Sequence, residues 1–167
     1  MVSLFAQLFL AIQQRIATQV PEIKHIDQDL GQLEYYQERP SVAFPCVLID
    51  FATTNYANHG NSVQWAELSI TIRLGFAPFT SALSVFPDVS KEAALQYYEL
   101  EHKLYEALAG FTANDCVQPF IRTTAATERR NDPYRIRELI FTTATEDDTA
   151  TPTTNTVTNP TLTLTQI

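Results

Sequence analysis

The sequence predicts an α+β domain. It has a mainly antiparallel sheet of about five strands and two amphipathic helices packed on one face, in the order α-β-β-β-α-β-β. Three observations lead there. Residues Ser90–Gly110, SKEAALQYYELEHKLYEALAG, repeat apolar side chains at spacings of three and four, the period of a helix with one buried stripe. Residues Gln64–Phe76 alternate apolar and polar with a period of two, the mark of a strand with one buried face. Two pairs of strand-like runs are each joined by turn-forming residues, as in hairpins.

Taken in order, residues 2–19 form the first helix, with Phe5, Leu8, Phe9, Ile12 and Ile16 on one face and Pro21 just beyond its end. Ile23–Asp29 is a short edge strand, and Gly31–Ser41 is a loop that mixes charges with aromatic rings. Phe44–Phe51, FPCVLIDF, is nearly all apolar, as expected of a central strand covered on both faces, although a strand covered on one face can also read this way. Thr53–Asn61, TTNYANHGN, has turn composition and should link it to the Gln64–Phe76 strand. Pro78–Asp88 is an irregular connection.

In the second helix, Ser90 is expected as the N-cap and Gly110 as the terminator. Tyr97, Leu100, Leu104 and Leu108 make its buried stripe, and Glu99 and Lys103 form an exposed i, i+4 pair. Phe111–Cys116 is a loop. Phe120–Arg129 and Pro133–Glu146 form a hairpin turning at Asn131-Asp132-Pro133. Apolar residues change phase along its second strand, from Tyr134 and Ile136 to Leu139 and Phe141. A β-bulge near Arg137–Glu138 would produce that change. Residues 1–146 thus make one domain. Residues 147–167 are a tail with nine threonines and no Lys or Arg, expected to be flexible. Its end, Thr161–Ile167 (TLTLTQI), alternates like a strand and could add to a sheet edge, its own or a neighbour's.

Composition narrows the function classes. The chain has 167 residues, 45% of them apolar, and a formal net charge of −8. A negative chain lacks the concentrated Lys and Arg that phosphate-backbone binding requires, so no specific nucleic-acid partner is expected. The first helix lacks a basic flank and is interrupted by Gln7, Gln13, Gln14 and Arg15, so neither a signal peptide nor a membrane span is expected. Cys46 and Cys116 are far apart with no metal-type spacing, and Cys46, in an apolar run, reads as a buried thiol. His25, His59 and His102 have no partner at metal-ligand spacing, and the four glycines form no phosphate loop. No acid, base and nucleophile cluster together. The expectation is therefore no catalytic residue, no metal and no cofactor.

Contact surfaces are the better candidates. The segment from Arg122 to Arg137 carries five arginines against Glu128 and Asp132. Glu34-Tyr35-Tyr36-Gln37-Glu38-Arg39 joins acidic groups to two tyrosines, and tyrosine is enriched at protein interfaces. The contact candidates are Glu34, Tyr35, Tyr36, Glu38 and Arg39 in this loop, and Arg129, Arg130, Asp132, Arg135 and Arg137 in the hairpin. The acidic segment Asp27–Glu38 and the arginine-rich hairpin are expected to complement one another between molecules.

The succession LFLAIQQRI, FPCVLIDF, QWAELSITIRLGF, YYELEHKLYEALAGF and RTTAATERRNDPYRIRELIFTT resembles small proteins encoded among prophage structural genes. In layout these are similar to tail-terminator or tail-completion proteins of long-tailed bacteriophages. The resemblance spans about residues 2–146 and leaves out the threonine-rich tail. It implies a non-catalytic, cofactor-free assembly protein that forms a ring, often hexameric in such proteins, on the last ring of tail-tube subunits. Its implied partners are the tail-tube protein and a head–tail connector protein. It would be found in the bacterial host cytoplasm during assembly and then in the virion tail. Another head–tail connector, or a non-catalytic ligand- or peptide-binding module with its ligand near Tyr35, would also suit these residues.

Overall fold

The structure, a computed structural model, describes residues 3–35, 41–60, 62–77, 88–113 and 116–151. Helix α1 (Leu4–Gln19) is followed by strands β1 (His25–Gln28), β2 (Cys46–Gly60) and β3 (Val63–Phe76). Helix α2 (Asp88–Leu108) and strands β4 (Ile121–Thr127) and β5 (Arg135–Asp147) complete the order. The five strands form one sheet in the order β1-β2-β3-β5-β4. Only the β1–β2 pair is parallel, so the fold is α+β with a mostly antiparallel sheet. No helix among the described residues is long and apolar enough to cross a membrane.

Both helices cover the same sheet face. Leu8, Ile12 and Ile16 of α1 and Leu100, Leu104 and Leu108 of α2 share a buried core with Leu68, Ile70, Ile72 and Leu74 of β3. Val47, Ile49, Leu139 and Phe141 belong to the same core. Each such leucine or isoleucine gains roughly 1.5–3 kcal/mol by leaving water. The helix pattern is thus realised with one shift: α2 begins at Asp88, so Ser90 lies inside it and is not its cap. Gly110 ends it as expected, at φ +73°, and its N–H donates to the Phe120 carbonyl at 3.0 Å.

The opposite face carries a second, smaller core of Leu33, Cys46, Leu48 and Ile136, with Val42, Phe44 and Tyr134 against it. This corrects the expected bulge near Arg137–Glu138. β5 pairs with β3 in unbroken register from Phe76↔Arg135 to Gln64↔Asp147. The apolar phase changes because Ile136 faces the second core while Leu139 and Phe141 face the first. The register shift lies instead on β4, between Arg122 and Thr124.

A second correction concerns Thr53–Asn61. Its residues through Gly60 continue β2, paired to β3 from Thr53↔Ser69 to Gly60↔Val63. At the tip of the hairpin Gly60 and Ser62 have φ of +90° and +64°. Backbone ladder bonds do not depend on side-chain polarity, so a polar run can extend a hairpin beyond the core. From Asp50 onward β2 is exposed except for half-buried Phe51 and Thr54. The outer parts of β2 and β3 therefore form an arm. The Pro78–Asp88 connection and Thr161–Ile167 fall wholly or largely outside the described residues.

Gly75 couples the two strands under the smaller core. A Cβ at this position would lie 2.7 Å from Cys46 Sγ and 3.3 Å from Ile136 Cδ1. Gly75→Ala is expected to cost about 1–3 kcal/mol through overpacking, measured by urea denaturation. The cost should shrink when the same change is made on a Cys46→Ala background, which removes the colliding sulfur. Equal costs on the two backgrounds would refute this steric account.

Candidate functional site

The second sheet face is organised by Arg73, which reaches from the C-terminal part of β3 to the β1–β2 loop and the β4–β5 turn. Its side chain is only 12% exposed. Nε and Nη2 donate to the two carboxylate oxygens of Glu128 at 2.7 and 2.9 Å, a bidentate geometry that suits a planar guanidinium. Nη1 donates to Asp29 Oδ2 at 2.8 Å, and Nη2 also meets Glu34. Arg130 closes the cluster. It donates to Glu34 at 3.0 Å, to Glu128 at 3.2 Å, to Asp132 and to the Leu33 carbonyl at 2.6 Å.

The loop is shaped to reach these arginines. The Asp29 N–H extends the ladder by donating to the Ile49 carbonyl, and its carboxylate accepts from the Gly31 N–H. Gly31 turns the chain at φ +77°, a conformation that favours glycine. Leu33 then plugs the second core, which sets Glu34 over the guanidinia. On the other side, Asp132 accepts from the Tyr134 N–H and orients the turn that carries Arg130.

Two guanidinia thus meet four carboxylates: Asp29, Glu34, Glu128 and Asp132. Burial opposes the Arg73 charge, but the hydrogen bonds it donates to Glu128, Glu34 and Asp29 outweigh it and push its pKa up. The Arg73 hydrogen bond holds Glu34 below the usual carboxylate range, against partial burial and with help from Arg130. The Arg130 hydrogen bond does the same for Asp132. These acids are charged at neutral pH and already engaged, a state suited to clamping segments together.

Three more arginines grip α2 from the helix-covered face. Arg137 forms a bidentate pair with Glu101, at 2.7 and 2.8 Å. Arg135 lies 4.1 Å over the Tyr97 ring and Arg122 lies 3.8 Å over the Tyr105 ring. Tyr97, Glu101 and Tyr105 are spaced i, i+4, i+8, so they line one side of the helix. Sequence reasoning missed Glu101, which is 9% exposed. The available signal was its place between two tyrosines at helical spacing. The Lys103 ammonium bonds Glu22, beyond the end of α1, and not its helical neighbour Glu99.

The predicted contact residues divide accordingly. Glu34, Arg130 and Asp132 come together, but within one chain, so the charge match expected between molecules is realised here internally. Arg135 and Arg137 are committed to α2. Tyr35 is 61% exposed and Arg129 is exposed. Tyr36, Glu38 and Arg39 lie outside the described residues.

The remaining chemistry is sparse among the described residues. No group of three or more His, Cys, Asp or Glu could hold a metal ion. Cys46 and Cys116 are both buried. Burial pushes the Cys46 thiol up to about 12, which suppresses the nucleophilic thiolate. His102 is exposed on α2 beside Glu106, at 3.4 Å. A pocket of about 340 Å³ lies between the end of α1 and α2, lined by Gln19, Pro21, Glu22, Lys103, Glu106 and Ala107. It is away from the Tyr35 loop.

Arg73→Met is expected to destabilise the protein by roughly 3–5 kcal/mol, because it leaves three crowded carboxylates without their shared cation. Urea denaturation measures this, and a loss under about 1 kcal/mol would contradict the central role given to Arg73. Acid should act on the same cluster. The folded pKa of Glu34 is lowered from its ordinary 4.5, so its contribution is present above that value and is lost as pH falls through the lowered one. Stability measured against pH should drop in that acid range, and less steeply in Glu34→Gln. Superimposable pH profiles would exclude Glu34 as a source.

No protein-family model matches the chain, and no curated protein matches it. Among solved structures, a chain from the virion of a native gene transfer agent particle is similar, with a TM-score of 0.49 and 13% identity. The match covers 88% of this chain and 100% of that one.

Proposed function

We propose that this chain is a structural assembly protein of a phage-like particle. Within that class we assign it as a tail terminator or completion factor, which caps the tail tube and helps join it to the head. The sequence resemblance supplies the class. The arm is the observation that carries the reading: β2 and β3 run on past the helix-covered core as a paired, polar, exposed extension. A monomer gains little core from such an extension, whereas a subunit of an assembly gains reach over its neighbour. The clamps described above keep the body rigid, so that the arm projects from a fixed base.

On this reading the partners are the tail-tube protein, a head–tail connector protein and further copies of the chain in a ring. No cofactor takes part. The exposed Tyr35 and Arg129, on the same side as the Arg73 cluster, remain contact candidates, and exposed Tyr56 on the arm joins them. The protein would act in the host cytoplasm during assembly and remain in the virion tail.

The test is co-assembly with the tube protein encoded beside it, followed by electron microscopy. Tubes should become shorter and carry an added ring at one end. Tyr56→Glu, with an unchanged melting temperature, should weaken capping. Tubes of unaltered length and bare ends in the presence of the wild-type chain would refute the proposal.

A further inference from the structure

The sheet has two open edges among the described residues, and they differ from the usual edges of a monomer. β1 covers β2 only from Cys46 to Ile49, with one more bond from Asp29 to Ile49. From Asp50 to Gly60 the outer edge of β2 pairs with no described strand. At the other side of the sheet, β4 pairs only with β5.

Exposed edges are normally guarded against pairing by Lys, Glu, Pro or strong bulges. Here β2 has no Lys, Arg, Glu, Asp or Pro from Phe51 to Gly60. β4 reads IRTTAAT, and its one charge, Arg122, is folded back onto Tyr105. Every β4 side chain except Arg122 is exposed, with Ile121 at 58%. β2 has two register shifts, between Phe51 and Thr53 and between Asn58 and Gly60, which leave Thr53–Asn58 regularly paired between them, and β4 has one, between Arg122 and Thr124.

The outward-facing groups of β4 can be assigned. The Glu128 N–H donates inward to the Ile136 carbonyl. In an antiparallel ladder the bonded residues alternate, so Ala126 and Thr124 also face inward while Ala125 and Thr127 present their N–H groups outward. β4 runs antiparallel to β2, since β2–β3, β3–β5 and β5–β4 are three successive antiparallel pairs.

We propose that β4 of one copy adds antiparallel to the open outer half of β2 of the next copy, extending the sheet from molecule to molecule. It rests on the assembly reading above, and names a second copy of this chain as the partner of the arm. The strand directions suit it, because copies related by rotation about an axis along the strands keep their polarity. A two-fold β2–β2 contact would satisfy one edge and leave β4 open. The head-to-tail contact uses both, and such a heterologous contact generates rings or filaments.

The two edges are offset along the strands, which fixes the geometry further. Through the ladders, Thr124 is level with Asp50, whereas the open half of β2 centres near Asn55. On β3 the step runs from Thr71 to Glu67, because β2 carries an extra residue between Phe51 and Thr53; it is about four residues, or roughly 14 Å. Over the four strands β2, β3, β5 and β4, about 19 Å wide, this corresponds to a strand tilt of roughly 35°. That lies within the tilt range of closed antiparallel sheets.

The test uses full-length protein and site-specific oxidation. Asn55→Cys and Ala125→Cys proteins, mixed at high concentration with the native cysteines buried, should form disulfide heterodimers in large excess over homodimers of either kind. Ala125→Pro removes an outward N–H and no ladder bond. It should raise the concentration needed for oligomers by about tenfold or more, while leaving the melting temperature of the monomer near that of wild type. No heterodimer, or homodimers of Asn55→Cys in equal yield, would overturn the pairing. Capping separates the two proposals. Ala125→Pro protein that caps tubes as well as wild type would remove the edge contact and leave the terminator reading intact. Heterodimers without capping would do the reverse.

Discussion

The second face of this sheet depends on Arg73. A guanidinium on a strand, largely removed from water, is costly unless every donor is met. Here all its nitrogens are engaged, by Glu128, Asp29 and Glu34. Those acids come from the loop after β1 and the residue after β4, two segments that cross opposite ends of the sheet. One strand residue thus fixes two connections whose own apolar content is small. Leu33, Leu48 and Ile136 supply a modest core beneath, and the charge network sets which loop conformation covers it.

The helix-covered face uses arginine differently. There the large apolar core already holds α2, and Arg122, Arg135 and Arg137 specify its rotation by meeting Tyr105, Tyr97 and Glu101. Stacking over a ring tolerates sliding, whereas the bidentate Arg137–Glu101 pair does not. The pair therefore acts as the locating pin between two softer contacts. Seen this way, the positive hairpin is not a free patch. Its charge is consumed on both faces, and Arg129 is left exposed.

Much of the fold was legible locally. The periods of α2 and β3 and the apolar run Phe44–Phe51 each report their own environment, and their order was enough for the α+β class. What was not legible depended on distance in sequence. Arg130 and Leu33 are 97 residues apart, so no local spacing announces their bond. Glu101 reads as one more polar residue on a polar helix face until β5 is laid beside it. The phase change in β5 has two physical causes, a bulge or a second core, and the sequence of one strand does not distinguish them. The arm was hidden by its polarity: TTNYANHG has turn residues, yet every one of them but His59 is paired with β3. Of the contact candidates, only the acidic loop and the hairpin turn proved to be neighbours, and they neighbour each other.

An open-edged subunit must still stay soluble until it is needed. Water satisfies the exposed edge groups of a free molecule, so each interchain hydrogen bond gains only about 0.5–1.5 kcal/mol net. Association costs several kcal/mol in lost freedom. A contact the length of β4, seven residues, is therefore marginal between two copies alone. In a closed ring of the kind proposed each copy would make that contact twice, and a tube end that bound every copy would already have met much of the entropic cost. If the proposed contact forms, edges this short on a body tied together by internal ion pairs would favour assembly on a template over assembly in free solution.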